Sequence, residues 1–140
     1  MSFFGKLSSK EHYGLRLILR IAETYYTKSP VSIKDIGAVE GMSEKYLEQL
    51  VIPLKEAHWV ESIRGRDGGY IMKKDPSKIT LKDFIWLIDN RPFLIECLGN
   101  SNGRVCPLYN ECMSRKAWGI IQKSMEDSMS KIKISDILKN

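Results

Sequence analysis

The chain is poor in cysteine and histidine, with three cysteines and two histidines in 140 residues. A small, odd cysteine count excludes the disulfide framework that staples small secreted domains. Neither His12 nor His58 has an evident third residue to orient it. Phosphate loops and dinucleotide fingerprints are also missing, so an enzyme with a cysteine nucleophile is not expected. No apolar run approaches the roughly 18 residues needed to span a bilayer. The opening stretch MSFFGKLSSKEHYGL lacks a signal core. Repeats, low-complexity tracts and a second domain are likewise absent. These absences leave a single non-enzymatic domain, expected in the cytoplasm and without a membrane partner. Its hydrophobic content of 43% is ordinary for a globular protein and sufficient for a core.

One sign of charge dominates, and unevenly. The net charge is +5, and residues 64–78 hold five basic side chains (Arg64, Arg66, Lys73, Lys74, Lys78) against Asp67 and Asp75. A patch of that kind attracts phosphate backbones without regard to sequence. On charge alone a solvated basic face with no partner is the favoured reading.

The residues beside the patch decide between these readings. Ser43 is a good N-cap, because its hydroxyl can bond a free amide of the first helical turn. Tyr46, Leu47, Leu50, Val51 and Leu54 follow on one apolar face at helical spacing. Ser43, Lys45, Glu48 and Gln49 then point away from the core. Next come two strand-like runs, 59–63 and 70–72. They flank Arg64-Gly65-Arg66-Asp67-Gly68-Gly69, a hairpin loop with Asp-Gly turn chemistry. A polar helix face next to a basic hairpin is what a winged helix-turn-helix uses to read double-stranded DNA. The expected DNA-contacting set is Ser43, Lys45, Tyr46, Glu48, Gln49, Arg64, Arg66, Gly68 and Gly69. Tyr46 belongs to the apolar face as well.

The rest of the chain fits around this unit. Ser8 to Glu11 forms a capping box for a helix burying Leu15, Ile18, Ile21, Ala22 and Tyr25, stopped by Lys28-Ser29-Pro30. Ser32 caps a short helix to about Val39, and Glu40-Gly41-Met42 turns into the Ser43 helix. Pro53 should bend or break that helix near its end. Thr80 to Asp83 is another capping box, leading a helix that buries Leu81, Phe84, Ile85 and Ile88 and ends before Pro92. Residues 98–111 read as loop. A long amphipathic helix from Cys112 to Met129 carries Trp118, Ile121, Met125 and Met129 as one stripe. A short helix from Ser135 closes the chain. The predicted fold is mostly α with a small β-hairpin: a winged helix-turn-helix over about 8–90, a cysteine-bearing loop over 91–111, a dimerisation helix over 112–131 and a closing helix over 132–140. The long helix carries more apolar surface than one small core needs, which favours a symmetric homodimer.

The cysteines, Cys97, Cys106 and Cys112, fall within sixteen residues, with gaps of eight and five. Spacing leaves three readings open: idle thiols, a zinc site without the usual close pairs, or three ligands of an iron–sulfur cluster completed by another donor.

With these motifs the sequence resembles the Rrf family of bacterial winged-helix repressors, the IscR, NsrR and CymR group. The resembling stretches are LSSKEHYGLR (7–16), PVSIKDI (30–36), MSEKYLEQL (42–50), VESIRGRDGGY (60–70), ITLKDF (79–84) and IKISDIL (132–138). The resemblance implies a homodimer joined through the long helix and DNA binding by helix and wing. Cluster-bearing members place three cysteines after the fourth helix, where Cys97, Cys106 and Cys112 fall. The five-residue gap matches; the first gap is longer than usual, which leaves 2Fe–2S and 4Fe–4S both open. In one subgroup the fourth ligand is a histidine three residues after the last cysteine. Here that position is Arg115, which cannot ligate iron. In another subgroup it is an acidic side chain early in the first helix, which can come from the partner. Here His12 matches, with Glu11 as fallback and a plain surface role as the alternative. His58 is expected to be structural. The predicted function is a DNA-binding repressor switched by a cluster that senses redox state, oxygen or nitric oxide. The alternative is a cluster-free regulator using its thiols for zinc, for reversible oxidation, or not at all.

Overall fold

The computed structural model describes residues 9–89, 93–99 and 106–138. Helix α1 (Ser9–Ala22) buries Leu17, Ile18, Ile21 and Ala22 at the expected helical spacing. Leu17 takes the place expected of Leu15, which is only half-buried. Gly14 lets Phe84 approach, since a Cβ there would lie 3.2 Å from the Phe84 ring. The expected cap at Ser8 lies outside the described residues.

The first helix was expected to run on past Tyr25, but it breaks at Glu23 and resumes as α2 (Thr24–Thr27). The Thr24 hydroxyl accounts for the break. It donates to the Ile21 carbonyl at 2.6 Å and accepts the Met72 amide at 2.7 Å. A side chain serving two backbone partners competes with the regular ladder and ties the helix to the hairpin. Lys28, in the left-handed region at φ 59°, ends α2.

Helices α3 (Ile33–Glu40) and α4 (Glu44–Glu56) form the helix-turn-helix. Both predicted caps are present. Ser32 accepts the Asp35 amide at 3.0 Å and Ser43 accepts the Tyr46 amide at 3.2 Å. Gly41, at φ 69°, closes α3 in a conformation that glycine adopts without cost. Helix α4 passes through Pro53 without a break. The proline sits in the last turn, where a missing amide forfeits a single bond near a natural end. Left-handed His58 (φ 61°) then closes the helix. Its amide donates to Lys55, and the Trp59 amide donates back to the Leu54 carbonyl at 3.0 Å. This is the Schellman pattern.

The wing is an antiparallel pair, β1 (Val60–Ile63) and β2 (Gly69–Met72), in the register Val60↔Met72 to Ile63↔Gly69. Val31 pairs with Tyr70 through two backbone bonds of 3.0 and 2.8 Å, anchoring the wing to the start of the helix-turn-helix. A 3-10 turn (Pro76–Lys78) leads to α5 (Leu81–Ile88), whose capping box between Thr80 and Asp83 is complete. Phe84 is fully buried, and its truncation to alanine would cost about 3–5 kcal/mol.

A 3-10 turn (Glu96–Leu98), α6 (Met113–Ser130) and α7 (Ile134–Leu138) complete the chain. The closing segment belongs to the core. Ile134 is fully buried and its amide bonds the Ile79 carbonyl, while the Leu81 amide bonds Ile132. Helix α6 differs: Gln122 is its one buried residue, and Met113, Ile120 and Met125 are exposed.

Candidate nucleic-acid interface and cysteine segment

Apolar spacing turns Leu47, Leu50, Val51 and Leu54 of α4 into the core. Ser43, Lys45, Glu48 and Gln49 are exposed on the opposite face, as expected. Tyr46 lies between, half-buried and edge-on to Tyr13 at 6.0 Å. The wing reaches back to this face. Burial, and then the negative charge of Glu48, hold the Tyr70 hydroxyl above its ordinary pKa. The Lys55 ammonium lies 5.8 Å from the Tyr70 ring.

Arg64 and Arg66 stand exposed at the wing tip, and neither has an ion-pair partner among the described residues. Their charge is therefore available to a phosphate. The other cations of the basic run are partly engaged: Lys73 pairs with Glu61 at 3.4 Å, and Lys74 lies over Trp59 at 5.3 Å. Gly68 and Gly69 have packing reasons of their own. A Cβ on Gly68 would collide with the Ile63 carbonyl, and one on Gly69 with the Val31 carbonyl. Both are needed by the turn before any contact with DNA is considered.

Sequence reasoning missed one group beside this face. Arg16 donates from Nε to Glu40 Oε1 at 2.8 Å and from its terminal nitrogen to the Glu40 carbonyl at 2.6 Å. Arg20 reaches the other carboxylate oxygen at 3.0 Å. The hydrogen bond from Arg16 is the largest influence holding the Glu40 carboxyl below the usual range; burial opposes it, and Arg20 adds to it. The available signal was the helical spacing of Arg16 and Arg20, which reads equally well as a solvated face.

The three thiols are half-buried and none is in a disulfide. Cys97 sits in the 3-10 turn that Gln122 docks on α6, through a 3.0 Å bond from the Leu94 amide. Cys106 opens a turn in which the Tyr109 amide bonds its carbonyl at 3.1 Å. Cys112 is the N-cap of α6, and its Sγ accepts the Arg115 amide at 3.3 Å. The Arg115 guanidinium stacks on Tyr109 at 3.8 Å. By donor type, three thiols fit an iron–sulfur cluster. By arrangement, no three cysteine, histidine or acidic side chains come together among the described residues of the single protomer. His12 is exposed on α1 with its ring 5.1 Å from Tyr13, whereas Glu11 is buried. His58 shapes the end of α4. Among the described residues no helix is long and apolar enough to cross a membrane.

Comparison with known proteins places this geometry. The Rrf2 family, described as "Iron-dependent Transcriptional regulator", matches residues 7–140. Protein rrf2 of Nitratidesulfovibrio vulgaris is 31% identical over 135 residues, covering 96% of this chain and 88% of that protein. The solved structure of T. potens IscR superposes with a TM-score of 0.77 at 32% identity, covering 96% of this chain and 87% of that one. The structure of CymR, the global cysteine regulator of B. subtilis, gives 0.77 at 30% identity, covering 96% and 97%. The likeness runs through the helix-turn-helix, the wing and the long helix alike, and the chain belongs to the Rrf2 family of transcriptional regulators, which are not enzymes.

Proposed function

We propose that this protein is a homodimeric, sequence-specific DNA-binding repressor whose affinity is set by an iron–sulfur cluster on Cys97, Cys106 and Cys112, with His12 as fourth ligand. The observation that carries the DNA-binding part is the exposed polar face of α4 beside a wing tip whose two arginines have no ion-pair partner among the described residues. Ser43, Lys45, Glu48 and Gln49 meet base edges. Gln49 suits adenine and Glu48 suits cytosine N4. Arg64 and Arg66 enter the adjacent groove or hold phosphates. Lys73, Lys74 and Lys78 add steering charge.

The cluster part is supported by the donor types and by the iron dependence in the family's description. A bound cluster supplies a redox-active iron centre that oxygen or nitric oxide can alter. This chain's share is to present the thiols: Gln122 holds the Cys97 turn on α6, and Cys112 begins that helix. His12 is exposed, so it is open to a donor role across a dimer. A second reading, a regulator working through its thiols without a cluster, is favoured by the separation of the three thiols in the protomer and by the likeness to CymR.

Anaerobic purification with iron and sulfide analysis separates the two. Brown protein with bound iron and sulfide, lost on changing any one cysteine to alanine, supports the cluster. Colourless protein that binds neither after reconstitution supports the second reading. If the cluster forms and His12→Ala leaves its spectrum unchanged, His12 is not the fourth ligand and Glu11 is tested next.

A further inference from the structure

One face of α1 meets both sides of the turn that joins α3 to α4. Arg16 bridges the carboxylate and the backbone carbonyl of Glu40, the last residue of α3. One turn earlier, the Tyr13 ring sits edge-on to Tyr46, in the first turn of α4, with the Arg16 guanidinium 5.5 Å from the same ring. Arg20 secures the second carboxylate oxygen of Glu40. Tyr13, Arg16 and Arg20 follow helical spacing, so a single rigid element grips the end of α3 and the start of α4. The turn between them is closed locally by the Gly41 and Met42 amides, which both bond the Gly37 carbonyl at 2.9 and 3.1 Å, with Gly41 in a left-handed conformation. The contacts from α1 are what tie its two flanks to one outside element.

We propose that Tyr13 and Arg16 are positioning residues for DNA recognition, clamping both sides of the helix-turn-helix so that α4 meets the groove at one angle. The inference rests on the DNA-binding reading above. It differs from a plain electrostatic role in sign. Glu40 is acidic and lies near the DNA-facing unit, so by Coulomb's law alone its removal should strengthen binding to phosphate. A clamp requires the opposite. Arg16 must also act through its planar fork, which bonds two acceptors at once, whereas a lysine would keep the charge and lose the geometry.

The test uses the full chain and a fluorescent duplex that the wild-type protein selects from a random-sequence pool, with a scrambled duplex as control. Glu40→Ala and Arg16→Lys should each weaken binding to the selected duplex about tenfold and leave the scrambled duplex nearly unchanged. The double variant should be little worse than either single one. Tyr13→Leu should act in the same direction, and melting curves identify any variant that has lost its fold. Hydrogen exchange without DNA supplies the independent arm. The Tyr46 and Leu47 amides, held by Ser43, should exchange faster in Glu40→Ala and Arg16→Lys. Tighter or unchanged operator binding by folded Glu40→Ala overturns the proposal, as does unchanged exchange at Tyr46 and Leu47. If the wild type selects no duplex, the DNA-binding reading fails and the exchange arm still decides the clamp.

Discussion

Arginine plays two separate parts in this chain, and the surroundings decide which. Arg64 is exposed at the wing tip with no carboxylate paired to it among the described residues, whereas Arg16 is committed to Glu40. Arg64→Ala should weaken binding to the selected operator by about 1–3 kcal/mol, with melting temperature little changed. Titration at fixed salt checks this, and equal affinities would remove Arg64 from the interface. Glu40 carries a pH consequence. Arg16 first and Arg20 after it lower the carboxyl pKa in the folded state, against the penalty of burial. A carboxyl with a depressed folded pKa stabilises the protein above its unfolded pKa, and that share is lost as pH falls through the folded value. Wild type should therefore melt above Glu40→Gln near neutral pH, and the gap should close on acidification below about pH 4. A gap that is constant with pH would show that the carboxylate's charge contributes nothing.

At the scale of elements, helix ends account for much of the architecture. Ser32, Ser43 and the Thr80–Asp83 box start three helices through side-chain bonds that the sequence announces. The close of α4 was not announced. Pro53 does not break the helix, which continues to Glu56 and ends through left-handed His58. A non-glycine residue in that conformation carries a steric cost of about 1–2 kcal/mol. His58→Gly should therefore stabilise the protein, by up to about 1 kcal/mol once the greater freedom of glycine in the unfolded chain is offset. A rise in melting temperature without loss of operator affinity is the expected result. A fall would give the exposed imidazole a role that its place in the fold does not suggest.

At the scale of the whole molecule, α6 is the unfinished element. Of its apolar stripe of Trp118, Ile121, Met125 and Met129, Met125 is 47% exposed. The segment before it docks on its Gln122 side through the Leu94 amide, and the segment after it leaves to bury Ile134 in the core beside Ile79. In the homodimer proposed above, this face lies against its symmetry mate. Met125→Glu puts a charge at a stripe position that a lone protomer leaves 47% exposed, so the folded unit should survive. Sedimentation should show wild-type dimers, and monomers for the variant, whose operator affinity falls because two half-sites no longer bind together. A variant that stays dimeric would place the interface on another face.

Much of this was legible from local chemistry. Caps, a three-to-four-residue apolar period and a glycine-rich basic hairpin depend on neighbours in sequence. The helix-turn-helix, the wing hairpin and the exposed face of α4 therefore follow from the residues themselves. The thiols could also be located along the chain, between the winged unit and the long helix. What required the tertiary structure was every contact between distant segments. Thr24 breaks the first helix because the Met72 amide lies beside it. Gly69 is glycine because Val31 crosses it. Arg16 turns from a solvated charge into a clamp because Glu40 ends a helix 24 residues away. Periodicity reports which side of a helix faces inward, but only the packed fold determines what that side meets.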